Sequence, residues 1–210
     1  MTTTIAECSE SGAVESPHWR QFPLPGADLR LTQFCTGAAA QNWCARLRAE
    51  IPWEQHRLRI FARVVDSPRL SCWIGDVDAV YTYSRTRFEP RPWTPALREL
   101  RAAMSRICGE VYNSVLCNLY RDGHDAMGWH SDGEPELGPE PVIASLSFGA
   151  TRRFRLRHKR NPKLGLGIDL ESGSVLRMAG RTQQHYRHDL PRAARVDGPR
   201  INLTFRRILR

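Results

Sequence analysis

The stretch Arg200-Ile201-Asn202-Leu203-Thr204-Phe205-Arg206 shows an alternation that is decisive for the fold. Successive side chains of a β-strand point to opposite faces, so the three apolar residues of this stretch form one face. The other face carries two arginines, an asparagine and a threonine. Arginine can hold a carboxylate through two parallel hydrogen bonds, so this face predicts contact with an anion, provided that the strand curves. The alternative interpretation is a solvated edge strand.

Six more short β-prone runs, separated by glycine, proline and aspartate, precede this strand. They cover residues 113–120, 142–148, 152–158, 167–170, 174–178 and 184–190. Two helices are predicted before them, at residues 36–50 and 94–109. This order predicts an α+β, mainly β, fold in which a double-stranded β-helix (jelly roll) carries the helices on one sheet. We expect a disordered arm at residues 1–17 and a single domain over residues 18–210, with the jelly-roll core at 112–210.

The segment Trp129-His130-Ser131-Asp132 places an imidazole and a carboxylate on the same side of an extended backbone. A bare pair of this kind is more often a surface turn than a metal site. Two histidines and one carboxylate are, however, the ligands of non-haem iron(II) oxygenases, and we predict that His185 is the second histidine. His188 is the competing candidate. A strand would place His185 and His188 on opposite faces, so only one of them can join His130.

A second polar face precedes this segment. Asn118 and Tyr120 share a face of the run 113–120, while the apolar residues between them face the other way. An amide and a phenol at this point would complete a small dicarboxylate pocket with Arg200 and Arg206.

The overall composition is that of an ordinary globular protein, with 41% hydrophobic and 25% charged residues. No apolar run approaches the length of a membrane span and the N-terminus does not resemble a signal peptide, so we expect a cytoplasmic protein without a membrane partner. We also expect a monomer. The six cysteines form no CxxC pair and fit neither a zinc site nor a disulfide scaffold. Residues 151–210 hold 16 basic and 4 acidic residues, which favours a nucleic-acid partner, although biased arginine usage would give the same asymmetry.

Together these segments resemble the AlkB family of iron(II)/2-oxoglutarate dioxygenases, in particular its DNA alkylation-repair subgroup. The resemblance covers about residues 52–210 and depends on the HxD pair, the downstream histidine and the closing RINLTFR. It implies that iron(II) is held by His130, Asp132 and His185. It also implies that 2-oxoglutarate is held by a set of polar residues on two strands, namely Asn118, Tyr120, Arg200, Asn202 and Arg206.

The resemblance further implies a nucleotide-recognition lid at about residues 52–95. Within it, Phe61 would be an apolar wedge, Arg69 a basic contact, and Tyr81, Tyr83 and Ser84 a recognition hairpin. A core strand residue is the alternative interpretation for Phe61, and sheet packing is the alternative for the tyrosines. After the metal aspartate, Glu134 would read the edge of the flipped base. Two departures from the family pattern are Ala62, where glycine is common, and the thinned basic cluster around residues 192–195.

The activity implied by the resemblance is oxidative demethylation of 1-methyladenine or 3-methylcytosine in DNA, with iron(II), 2-oxoglutarate and O₂, and with release of formaldehyde. Single- and double-stranded DNA both remain open as partners, as does RNA. Alternatives are an RNA or protein N-demethylase on the same scaffold, a metal-dependent hydrolase, and a non-catalytic nucleic-acid-binding jelly roll.

Overall fold

The computed structural model describes residues 17–60, 63–83 and 86–209, and the side chains of 58–60, 63–64, 81–83 and 86–88 are not described. The predicted arm at residues 1–17 therefore lies outside the described residues except for Pro17. The strands are β1 Arg20–Phe22, β2 Asp28–Gln33, β3 Arg57–Ile60, β4 Arg63–Asp66, β5 Leu70–Gly75, β6 Tyr81–Tyr83, β7 Thr86–Phe88, β8 Ser114–Tyr120, β9 Met127–His130, β10 Ile143–Gly149, β11 Arg152–His158, β12 Gly165–Leu170, β13 Ser174–Ala179, β14 Tyr186–Leu190 and β15 Arg200–Arg206. The α-helices are α1 Gly37–Glu50, α2 Pro95–Cys108 and the single turn α3 Thr182–His185, and Pro135–Leu137 forms a 3₁₀ turn.

Eleven of the described strands form two antiparallel sheets that face each other, and the other four form two separate two-stranded hairpins. The larger sheet has the order β1-β2-β13-β10-β15-β8-β5, and the smaller has the order β12-β11-β14-β9. Apolar residues from both sheets meet between them, for example Ile143 and Leu176 from the larger and Leu156 and Ile168 from the smaller. This arrangement confirms the predicted double-stranded β-helix. Most of its strands lie within residues 114–206, but β1, β2 and β5, which precede the predicted core, also belong to the larger sheet.

The two long helices cover the other face of the larger sheet, as predicted. Leu47 of α1 and Leu97, Leu100 and Met104 of α2 are fully buried against strands of that sheet. Thr94 caps α2, since its hydroxyl accepts a hydrogen bond from the Leu97 N–H at 3.3 Å. Proline follows at the first helical position, and Gly109 ends the helix with a left-handed φ of 67°.

Strand β15 lies inside the larger sheet, between β10 and β8. Every residue of β15 is buried, so its interpretation as a solvated edge strand is wrong. In the β15–β8 register, Arg200 pairs with Tyr120 and Asn202 pairs with Asn118. The polar rows predicted separately on the two strands are therefore neighbours on one face of the sheet.

Two parts of the chain differ from the expected strands. The predicted strand at 184–190 begins with the helical turn α3, and β14 starts only at Tyr186. The segment around His130 is a true strand, β9, at the edge of the smaller sheet.

The region predicted as a lid contains two short hairpins, β3–β4 and β6–β7. Phe61 and Ser84 lie outside the described residues, and for Tyr81 and Tyr83 the structure describes only their place in β6. The lid and its contacts therefore stay predictions. Over the described ranges, none of the helices combines the length and the apolar character needed to cross a bilayer.

Candidate functional site

A polar cavity lies between the two sheets, where β8 and β15 face β9 and β14. Its walls combine the polar rows of β8 and β15 with histidines, carboxylates and a few apolar side chains. The lining residues are Leu116, Asn118, Tyr120, Met127, His130, Asp132, Ser145, Phe154, Met178, His188, Asp189, Leu190, Arg200, Asn202, Thr204 and Arg206. All five residues predicted to hold 2-oxoglutarate, and two of the three predicted iron ligands, are among them.

Three of these residues form a candidate metal centre: His130, Asp132 and His188. One potential ligand atom from each lies within 4.8 Å of the others. The Nε2 atoms of the two histidines are 3.0 Å apart, and His130 Nε2 is 3.9 Å from Asp132 Oδ1. His130 and His188 face each other because they are partners in the β9–β14 ladder, which is a long-range contact.

The prediction that His185 completes this cluster is wrong. His185 belongs to α3. The His185 ring packs against the loop before β2, since a Cβ added to Gly26 in that loop would lie 2.3 Å from His185 Nδ1. Its ring also lies 5.9 Å from the ring of His158. The sequence did contain a signal for the correct residue. If the strand begins at Tyr186, alternate residues place Tyr186, His188 and Leu190 on the inward face of β14, and all three are buried.

The surroundings of the two histidines fix the positions of their rings. Nδ1 of His130 lies 2.8 Å from the carbonyl oxygen of Gly128, which only accepts, so Nδ1 is the donor and the ring directs Nε2 toward the cluster. The ring of His188 stacks on Phe154 at 5.1 Å. Burial and the neighbouring His130 lower the pKa of His188 to about 3, so this imidazole is neutral at pH 7.

Asp132 is held by two partners that the sequence did not connect with it. Its backbone N–H donates to Gln183 Oε1 at 2.9 Å, which ties the segment after β9 to α3. Its Oδ1 accepts a hydrogen bond from Arg206 Nη2 at 2.9 Å. Burial alone would raise the pKa of Asp132, but Arg206 and the two histidines lower it below its usual range. The carboxylate is therefore ionised, as a metal ligand must be.

The opposite wall of the cavity is suited to an anion. Arg200 is 2% exposed, donates to Ser147 Oγ at 2.9 Å and lies over the ring of Tyr120 at 5.3 Å. Its Nε is buried and has no hydrogen-bond partner among the described residues. Burial lowers the pKa of Arg200 to about 10, which leaves the guanidinium charged at pH 7. A buried cation with a spare donor fits a ligand carboxylate.

Hydrogen bonds fix the remaining polar groups of this wall. Asn202 Nδ2 donates to Ser145 Oγ at 2.8 Å, and the Thr204 hydroxyl donates to Asn202 Oδ1 at 3.1 Å. On β8, Asn118 Oδ1 accepts a hydrogen bond from Arg69 Nε at 2.7 Å. Sequence reasoning did not single out Ser145 as part of the pocket, because a serine in a β-prone run carries no distinctive pattern.

Of the residues predicted to contact the substrate, Glu134 and Arg69 have described side chains. Glu134 does not line the metal cavity. It lines an adjacent surface pocket together with Ser131 and Lys159, and its Oε2 is buried without a hydrogen-bond partner in the described chain. Arg69 is 8% exposed and lies against Asn118. Neither position tests base recognition, which stays a prediction.

The outer face of the smaller sheet is strongly basic. On β11 the exposed positions alternate as Arg153, Arg155 and Arg157. The first two pair with Asp169 and Asp189, whereas Arg157 lies over the ring of Trp129 at 4.4 Å. The excess of basic residues in the sequence therefore forms a surface of arginines on β11 beside the ring of Trp129, which belongs to the same strand as His130.

The residues of the cavity fit iron(II) and 2-oxoglutarate. Two histidines and a carboxylate, converging from β9, the segment after it and β14, are the ligand set of non-haem iron(II) oxygenases. Arg200, Asn202 and Tyr120 line the same cavity, and the free donor of Arg200 would bind one carboxylate of a dicarboxylic acid.

Comparisons with known proteins agree with this site. Residues 29–206 match the model of the 2OG-Fe(II) oxygenase superfamily. The alpha-ketoglutarate-dependent dioxygenase alkB homolog 3 of Homo sapiens is 42% identical over 172 residues, which cover 78% of this chain and 59% of that protein. The DNA oxidative demethylase ALKBH2 of Mus musculus is 36% identical over 209 residues, which cover 95% of this chain and 87% of that protein.

A solved structure supports the fold. The structure of OsALKBH1 aligns with 90% of this chain and 100% of its own, with a TM-score of 0.60 and 17% sequence identity. The chain spans 58–59% of the length of the alkB homolog 3 relatives that it matches.

Proposed function

Because the chain belongs to the AlkB family within the 2OG-Fe(II) oxygenase superfamily, we propose that it is an iron(II)/2-oxoglutarate-dependent dioxygenase that demethylates DNA bases. The proposed substrates are 1-methyladenine and 3-methylcytosine. The observation that carries the proposal is the cluster of His130, Asp132 and His188 in a cavity whose other wall holds Arg200.

Each group of the cavity has a task in this reaction. Iron(II), 2-oxoglutarate and O₂ would supply the oxidising chemistry that turns an N-methyl group into formaldehyde, with succinate and CO₂ as the other products. His130 and His188 offer imidazole nitrogens, and Asp132 offers an ionised carboxylate, to the metal. Arg200 and Arg206 supply positive charge for the dicarboxylate. The apolar side chains of Leu116, Met127 and Phe154 line the same cavity and would help to exclude water from the reacting groups.

Three features support a nucleic-acid substrate. The relatives named DNA oxidative demethylase ALKBH2 are similar over most of this chain. The outer face of the smaller sheet offers guanidinium groups for phosphates, and Trp129 beside Arg157 is suited to stacking. A methylated base must leave the helical stack to reach a metal inside the protein. We propose that the predicted lid, which contains the hairpins β3–β4 and β6–β7, recognises this base.

The test is turnover of an oligonucleotide that contains a single 1-methyladenine. The purified protein is incubated with iron(II), 2-oxoglutarate and O₂, and formaldehyde and repaired base are measured together. We expect equimolar products that disappear when either iron(II) or 2-oxoglutarate is omitted. The same sequence as single-stranded DNA, duplex DNA and RNA gives the substrate preference. Release of formaldehyde without 2-oxoglutarate, or no repair of any of the three substrates, would refute the proposal.

A further inference from the structure

Arg69 lies in a buried position beside a residue that lines the metal cavity. Its side chain is 8% exposed, and it directly precedes β5, the edge strand that pairs with β8. Its Nε donates to Oδ1 of Asn118 at 2.7 Å. Asn118 lines the metal cavity and Arg69 does not, so the asparagine lies between the guanidinium and the cavity. Among the described residues, no carboxylate forms an ion pair with Arg69.

This hydrogen bond determines which way the amide of Asn118 faces. A guanidinium group has donors only, so the amide atom that faces Arg69 must be the oxygen. Both N–H groups of Asn118 Nδ2 are then directed away from Arg69 and are available to the cavity. An amide turned the other way would present its oxygen to the cavity, where it would repel a bound carboxylate.

The backbone of Asn118 cannot adjust in place of this side chain. Asn118 is paired with Ser71 of β5 on one side and with Asn202 of β15 on the other. With both flanking ladders formed, rotation about the side-chain bonds is the remaining freedom. A hydrogen bond to a charged donor removes that freedom more effectively than a bond to a neutral donor.

We propose that Arg69 is a positioning residue for the cosubstrate: it holds the Asn118 amide with its donors facing the dicarboxylate. This inference rests on the proposed function, because it takes 2-oxoglutarate as the anion in the cavity. It replaces the contact with nucleic acid that the family resemblance implies for Arg69. Arg69 acts through Asn118 and does not touch the reacting atoms.

The test measures 2-oxoglutarate binding without turnover. Protein loaded with Mn(II) in place of iron is titrated with 2-oxoglutarate in a calorimeter, and the Michaelis constants for 2-oxoglutarate and for the methylated oligonucleotide are measured with iron(II). Arg69→Met should weaken 2-oxoglutarate binding about tenfold, since one charge-assisted hydrogen bond is lost. The Michaelis constant for the oligonucleotide should stay unchanged. Arg48→Met, which removes a positive charge from the exposed side of α1, is the matched control and should bind 2-oxoglutarate normally.

A second variant covers the case in which Arg69→Met fails to fold. Asn118→Asp keeps an acceptor for Arg69 but replaces the donors that face the cavity with a carboxylate oxygen. It should weaken 2-oxoglutarate binding at least as much as Arg69→Met. In the Asn118→Ala background, Arg69→Met should have little further effect, because the residue it acts through is gone.

The outcomes separate this inference from the proposed function. Normal 2-oxoglutarate binding by Arg69→Met, together with a higher Michaelis constant for the oligonucleotide, would overturn the inference and restore the contact with nucleic acid. Normal binding by Asn118→Asp would overturn it as well. Absence of 2-oxoglutarate binding by the unmodified Mn(II) protein would instead refute the proposed function.

Discussion

Strands β8 and β15 have two faces that are equally hidden from solvent but differ in chemistry. Toward α1 and α2, Val115, Ile201 and Phe205 are all 0% exposed and pack in an apolar core. Toward the smaller sheet, Asn118 and Arg200 are only 4% and 2% exposed, yet they carry polar and charged groups. Burial alone therefore does not distinguish core from site. The first face should stabilise the fold, whereas the second should cost stability and provide ligand binding.

The largest effect is expected from His188→Ala on the cavity face. Removal of a metal ligand should lower turnover by more than about 100-fold, since loss of an outer-shell partner alone typically costs 10–100-fold. His185→Ala is the matched control, three residues away and outside the cluster, and it should keep nearly full activity. The two variants are compared by their rates of formaldehyde release and by their affinities for Mn(II). Loss of metal binding in His185→Ala but not in His188→Ala would reverse the assignment.

On the apolar face, Phe205→Ala should lower the free energy of unfolding by about 3–5 kcal/mol, because it leaves a cavity beside Tyr112 in the core. Denaturation in urea, followed by circular dichroism, measures this change. At a temperature where the variant is still folded, its affinity for 2-oxoglutarate should be close to normal. A stable variant that has lost 2-oxoglutarate binding would show that the two faces are not separate in function.

Arg200→Met should have the opposite profile. Loss of the guanidinium should weaken 2-oxoglutarate binding by about ten- to a hundredfold. The free energy of unfolding should be unchanged or higher, since no carboxylate within the described chain neutralises this buried cation and its desolvation is unfavourable. Calorimetric titration and urea denaturation of the same preparation test both statements. A marked loss of stability would mean that Arg200 supports the fold rather than the ligand.

The smallest effect is expected at the edge of the site. Gln183→Leu removes the acceptor for the Asp132 N–H and should reduce Mn(II) affinity by about tenfold, as loss of an outer-shell partner does. Gln184→Leu, the exposed neighbour, is the control and should bind Mn(II) normally. Equal affinities in the two variants would show that α3 does not position the metal carboxylate.

The two faces of β8 and β15 could be predicted from sequence because alternation is a local property. Because side chains alternate between the two faces of a strand, the sequence predicts that Asn118 and Tyr120 share one face of β8. The same rule predicts that Arg200, Asn202 and Arg206 share one face of β15. The structure confirms that both sets line the cavity. The distance between the strands could not be predicted. That Asn118 and Asn202 are neighbours depends on the β8–β15 register, which joins residues far apart in sequence.

The second histidine shows where this local reasoning fails. The alternation of side chains along a strand correctly indicated that only one of His185 and His188 could join His130. The choice of His185 was wrong because alternation alone does not show which face of a strand points inward, and because Thr182–His185 forms a helical turn that ends before β14. The deciding fact is the pairing of His188 with His130 across the smaller sheet, and no local pattern contains it. Gln183 was missed for the same reason, since its contact with Asp132 crosses 51 positions.

The ion pair between Arg206 and Asp132 connects the two halves of the site thermodynamically. The same guanidinium that lines the anion wall donates to the carboxylate that faces the metal. Any change in the charge at one end alters the electrostatic free energy at the other. Metal and dicarboxylate should therefore bind cooperatively, and thermodynamic reciprocity requires each to change the affinity of the other by the same factor.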